Sequence, residues 1–108
     1  MAQYKYEYLV TVHDHPGLLA TRLAARKRHL AKLAPRINAG QIVFGGAILA
    51  KEPVENQDPE FTGSVMLIKA NSKEEVKEII LDDEYAKGLW DLSQLDIIPF
   101  RCAVRTAI

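Results

Sequence analysis

The chain changes its hydrophobic period repeatedly along its length, and the order of those changes admits very few folds. Tyr4, Tyr6, Tyr8, Val10 and Val12 alternate with Lys5, Glu7 and Thr11, the period-two signature of a half-buried strand built from β-formers. His13 to Gly17 break the alternation with turn chemistry, and from Leu18 the spacing becomes helical. Leu19, Leu23, Leu30, Leu33 and Ile37 share one helix face, provided position 26 is counted in the series. Position 26 is an arginine. Pro35 is expected to disturb the last turn of this helix or to end it near Leu33, with Asn38, Ala39 and Gly40 as the stop before the next element.

Ile42 to Leu49 reads as a buried strand weakened by the Gly45 and Gly46 pair, and Lys51 to Thr62 as a polar loop. Gly63 to Ala70 reads as a central strand. Ser72 followed three residues later by Glu75 is the capping-box start of a second helix, with Val76, Ile79 and Ile80 as its apolar stripe. Leu92, Leu95, Ile97, Ile98 and Phe100 describe a last strand, in which Pro99 requires an end or an edge. The order is βαββαβ. Two split βαβ units of this kind give an antiparallel sheet with both helices on one face, an α+β, ferredoxin-like fold. Leu9 and Thr11 leave apolar content on the uncovered face, and such a face is normally buried by a second copy, so a homodimer is expected.

The 108 residues fit one domain, 1–108. Fourteen Lys plus Arg balance fourteen Asp plus Glu, so no net charge draws the chain to nucleic acid or to an anionic membrane. Gly63 to Ala70 also lacks the stacking aromatics that RNA-recognition folds of the same element order need. No stretch approaches the roughly 18 apolar residues of a membrane span, and the charged N-terminus lacks a signal-peptide core. Cys102, the single cysteine, precludes an internal disulfide and suits a reducing compartment, so a cytoplasmic location is expected.

The balanced total conceals a segregation. His15 to Lys51 holds seven bases and no acid, whereas Glu74, Glu75, Glu78, Asp82, Asp83 and Glu84 crowd one short region. The acids from Asp82 to Glu84 fall where the second helix ends, against its macrodipole, so something other than helix stability keeps them there. Either the two elements are oppositely charged solvated helices, or the basic one helps to hold an anionic ligand.

Arg26 sits where a leucine would extend the apolar series, and it either snorkels or donates to a carboxylate or enolate. Arg22 and His29 lie on the same helix flank. The cationic neighbours of His29 favour a neutral imidazole, a competent general base once a carboxylate fixes its other nitrogen. Asp82 and Asp83 are the candidates for that partner. His13, Asp14 and His15 are adjacent in a turn without a distant third ligand, so no metal is expected, and Asp14 reads as a turn former or helix cap. Ser64 lacks a nucleophile-elbow context and reads at most as a hydrogen-bonding group. Cys102 reads as structural, and Tyr85 and Trp90 as core or pocket wall.

The run DHPGLLATRLAARKRHL from Asp14 to Leu30 carries Asp14, Pro16, Gly17, Arg22, Arg26, His29 and Leu30. With Gly40, Gly46, FTGS at Phe61 to Ser64, DDEY at Asp82 to Tyr85, GLW at Gly88 to Trp90 and IIPF at Ile97 to Phe100, it resembles the YCII-related (YciI-like) family. The resemblance runs from about Tyr4 to Arg101. It implies a fold of the dimeric α/β barrel superfamily and a site built on a histidine and aspartate pair. The histidine of the family's R-x-x-H-L motif falls on His29, its arginine on Arg26, and the aspartate of its D-P-Y motif on Asp83. Glu84 stands where the family has proline, which leaves Asp82 as the alternative. A few relatives eliminate groups from hydroxylated aromatic rings, as in dehydrochlorination. The reaction so implied is proton abstraction by His29, with Asp83 stabilising the imidazolium and Arg26, with Arg22, holding the oxyanion. Ser64 and the Gly46 backbone would line the pocket. The substrate so implied is a small hydroxylated aromatic, quinone-like or lactone molecule, and no cofactor is expected. Competing readings are a binding protein that returns its ligand unchanged, and haem binding with His29 as axial ligand.

Overall fold

The fold follows from which strand positions alternate inward, and the computed structural model describes residues 3–106. The strands are β1 (Tyr6–His13), β2 (Ile42–Leu49), β3 (Phe61–Ala70) and β4 (Asp96–Phe100), and the helices are α1 (Leu19–Asn38) and α2 (Lys73–Leu81). Short 3-10 turns at Glu84–Ala86 and Leu92–Gln94 link α2 to β4. The sheet is antiparallel in the order β2-β3-β1-β4, so β3 and β1 are central. Register pairs Tyr8 with Ile68, Val10 with Met66 and Val12 with Ser64. These residues form the face that both helices cover.

Ala25 and Leu33 of α1 and Val76, Ile79 and Ile80 of α2 close the core over Tyr8, Val10, Met66 and Ile68. Burial of such apolar surface is what holds the two layers together. The ferredoxin-like arrangement is the one expected from the element order. The opposite face carries Leu9 beside Leu67 and Ile98, with Phe44, Ile98 and Phe100 exposed. Among the described residues no helix is long and apolar enough to cross a membrane.

Four details depart from expectation. Pro35 does not end α1, which runs on to Asn38. The proline and Ala31 are both exposed, so the carbonyl that loses its helical partner faces water instead of apolar core. The helix stops at the expected Asn38 to Gly40 segment, where the Gly40 φ of 77° lets Gly40 N–H donate to Ile37 O at 3.0 Å and Gln41 N–H to Arg36 O at 2.9 Å. That pair is a Schellman cap. Second, β2 is an edge strand exposed from Phe44 to Ala47, not a buried one, because it lies outermost in the sheet.

Third, Leu92 belongs to a 3-10 turn and the last strand begins at Asp96, while Pro99 does sit on an edge. Fourth, Ser72 accepts from Glu75 N–H at 3.1 Å, but the Glu75 carboxylate turns to Asn71 N–H and Gln41 Nε2, so only half of the capping box forms. Gly63 admits no side chain, since a Cβ there would lie 2.5 Å from the Val12 carbonyl oxygen. That close approach delivers Ser64 to the helix-covered face.

Gly40→Ala should cost about 1 kcal/mol, because alanine must enter the left-handed region to keep the cap. Thermal unfolding by circular dichroism checks this: a midpoint lowered by roughly 4 °C is expected, and an unchanged one would show that the cap contributes nothing.

Candidate active site

The site begins where β1 ends. Asp14 N–H donates to Thr62 O at 2.9 Å, and the turn through Gly17, at φ 77°, sends the chain back as α1. Position 22 thereby returns to Asp14. Arg22 Nε donates to Asp14 Oδ2 at 2.7 Å and Nη2 to Oδ1 at 3.1 Å, a bidentate pair with both side chains about 7% exposed. Asp14 therefore caps nothing: the α1 N-cap is Leu18, without a side-chain hydrogen bond. A buried guanidinium needs that carboxylate to offset its lost hydration.

Arg22 Nη2 also donates to Ser64 Oγ at 2.6 Å, and Trp90 Nε1 donates to the same oxygen at 3.1 Å. With both lone pairs engaged, the Ser64 hydroxyl keeps its own proton for a further acceptor, and none stands among the described residues.

Two helical turns along α1, His29 Nδ1 lies 2.6 Å from Asp83 Oδ1. Asp83 is 2% exposed, and the same oxygen accepts the Tyr85 N–H at 2.9 Å. The local cause is an Asx-type turn. After α2 ends, Asp83 adopts extended backbone and caps the 3-10 turn at Glu84–Ala86, which aims its carboxylate back at α1. A carboxylate facing Nδ1 makes that nitrogen the N–H donor and leaves the Nε2 lone pair free.

Tyr85 holds the ring from the side: the imidazole and phenol planes stack at 3.8 Å and 7°. Arg22 Cζ lies 4.7 Å from the centroid of the same phenol, which therefore fills the gap between Arg22 and His29 on the helix. Burial pushes the Tyr85 phenol above its ordinary pKa, with Arg22 pulling the other way, so the stacking ring is neutral at neutral pH. Trp90 meets the imidazole edge-on at 6.0 Å.

His29 forms part of the wall of a cavity of about 390 Å³ between α1 and the β2 side of the sheet. Arg22, Arg26, Ser64 and Gly46 share that wall, and Asp83 stands behind His29. The expected apolar stripe is rotated: Leu23, Leu30 and Ile37 stay 42–48% exposed because they face this cavity, while Arg22, Ala25 and Leu33 face inward. Arg26 thus stands on a concave surface.

Most of the other α1 bases have acids opposite. Arg28 faces Glu84 at 3.6 Å, and Lys32 and Arg36 face Asp82 at 3.6 and 3.9 Å. Asp82 therefore meets cations and Asp83 meets the imidazole. Arg26 makes no ion pair among the described residues. His13 and His15 are exposed, and among the described residues no cluster of three potential metal ligands forms.

A model of the YCII-related domain matches residues 6–101. The chain belongs to this family. Fusaric acid biosynthesis protein 2 of Gibberella moniliformis (strain M3125 / FGSC 7600) is 43% identical over 102 residues, spanning 94% of this chain and 98% of that protein. Derivative of benzaldehyde biosynthesis cluster protein C of Emericella nidulans is 43% identical over 83 residues, or 76% of this chain and 85% of that one. The YCII-related fold also superposes on 5-chloro-2-hydroxyhydroquinone dehydrochlorinase from Burkholderia phenoliruptrix AC1100, solved with 2,5-dihydroxybenzoquinone. That match has a TM-score of 0.70 and 30% identity, and covers 90% of this chain and 93% of that one.

Asp14→Ala should destabilise the protein by about 3 kcal/mol or more, since it strands a buried guanidinium. The double variant Asp14→Ala/Arg22→Met should recover much of that loss in urea unfolding. Equal losses for the single and double variants would show that the pair carries no such role.

Proposed function

We propose that this YCII-related chain is a small-molecule-converting enzyme of the lyase or isomerase type, with His29 as general base and Asp83 as its orienting partner. The supporting observation is the 2.6 Å contact from Asp83 to Nδ1 of a histidine whose other nitrogen is left for the cavity. The substrate is a hydroxylated aromatic, quinone-like or lactone molecule. His29 Nε2 takes a proton from a ring hydroxyl or acidic C–H, and Asp83 stabilises the imidazolium. The electron pair released enters the ring and expels a leaving group with its bonding pair. The imidazolium later returns its proton to solvent.

Negative charge on the substrate oxygen meets two donors. Arg26 supplies an unpaired guanidinium, and Ser64 supplies a hydroxyl proton with no other acceptor among the described residues. Arg22 is mostly committed to Asp14 and Ser64, so only Nη1 is left to reach a ligand and its larger task is positioning. Gly46 presents backbone to the cavity, with open space where a Cβ would stand. The dehydrochlorinase likeness, at 30% identity, favours elimination from a chlorinated hydroxyhydroquinone as the first reaction to assay.

In a screen of chlorinated hydroxyhydroquinones, hydroxyquinones and lactones, His29→Ala should reduce turnover to background and Asp83→Asn should lower kcat by roughly 10²-fold or more. Undiminished turnover in His29→Ala removes the proposal. A ligand bound and recovered chemically unchanged would instead mark a binding protein. The exposed Phe44, Ile98 and Phe100 belong to the same reading, as the surface a second copy covers. Sedimentation equilibrium should then give about twice the 12.1 kDa of one chain, and a monomer mass would exclude the dimer.

A further inference from the structure

The cavity wall changes character along its length. Toward the start of α1 it carries every charged or titratable side chain that α1 gives the wall, Arg22, Arg26 and His29, beside Leu23, with Ser64 and Phe61 opposite on β3. Beyond His29 every α1 residue in the wall is aliphatic: Leu30, Leu33 and Ile37. The sheet follows the same gradient, because register pairs Ser64 with Ala47 at one end and Ile68 with Ile42 at the other. Ile42 and Val43 therefore close the end that Ile37 begins.

The two ends are far enough apart to hold different parts of one molecule. At about 1.5 Å per residue, His29 and Ile37 are separated by about 12 Å along the helix. A single oxygenated ring engaged by His29 and Arg26 leaves the Ile37 end empty. At about 390 Å³ the cavity falls among sites that enclose drug-sized ligands rather than a lone ring. Leu30 and Ile37, at 42% and 48% exposed, offer unburied aliphatic surface on a concave wall. Charge and shape agree, since the unpaired cation stands at one end only.

We infer that the ligand of this site is amphipathic: an anionic oxygenated ring at the Arg26 and His29 end, bearing an aliphatic substituent of about five carbons that runs toward Ile37 and Ile42. The ring half rests on the function proposed above, and the tail is the addition. Because α1 is one unbroken helix across both halves, the spacing between ring site and tail site is rigid.

The test is calorimetric titration of the intact protein with 2,5-dihydroxybenzoquinone and its 3-propyl and 3-pentyl derivatives. Affinity should rise roughly three- to fourfold per methylene, so that the pentyl compound binds roughly several hundredfold tighter than the bare ring. Ile37→Glu, at an exposed position, should hold that gain below about tenfold by placing a charge against the tail. Arg26→Gln should weaken the whole series by one common factor. A flat series with Arg26→Gln still weakening it overturns the tail and leaves the ring site standing. Failure of every member to bind overturns both. A flat series in which Ile37→Glu also lowers the sedimentation mass would give this end of the cavity to a second copy, which likewise overturns the inference.

Discussion

The guanidinium of Arg22 is buried where four parts of the chain converge, and the rest of the site depends on how it is paired. Asp14 directly follows β1, Ser64 belongs to β3, Trp90 precedes β4, and Arg22 itself rides α1. A charge placed there must be matched in direction as well as in sign. The bidentate carboxylate supplies the match, and Ser64 ties the same group to Trp90. No buried side-chain polar atom among the described residues is left without a partner. With α1 so anchored, His29 two turns later cannot rotate away from Asp83, and Tyr85 packs against both helical positions at once.

Much of this was legible in the sequence, for reasons that can be named. Tyr8, Val10 and Val12 alternate because one face of β1 is covered, and the element order then leaves little choice of topology. His29 and an acid of the Asp82 to Asp83 pair were legible from residue type and charge, but the choice of Asp83 came through the family's motifs. Residues 54 positions apart share no local period, and the side-chain spacing alone left Asp82 and Asp83 equal. The Asp14 clamp was hidden for the same reason, since the turn that joins it to Arg22 erases helical phase. The leucine series misled in an instructive way: its period was right and its partner wrong. An apolar stripe reports that something apolar lies opposite, and here that space is a cavity. Pro35 misled because a missing N–H is costly only where water cannot replace it.

The segregation of charge also resolves into two parts. Arg28, Lys32 and Arg36 face acids of the region after α2 across partly exposed gaps, where each pair contributes little stability. Arg26, pointed to the cavity instead, is the residue that breaks the apolar series, and it makes no ion pair among the described residues. A broken local rule with no structural partner marks function more often than accident.

The single oxygen of Asp83 that accepts both the Tyr85 amide and the imidazole has a consequence for how the site comes into being. One donor belongs to the backbone of a short connecting segment, the other to a helix formed far earlier in the chain. The turn donor is local and the imidazole is not, so the turn sets the carboxylate where the ring can reach it. Local opening of residues 83–90 would release the ring and the turn together, so imidazole orientation and loop closure are coupled. Amide hydrogen exchange at Tyr85 would thus report the fraction of time the imidazole is held against Asp83.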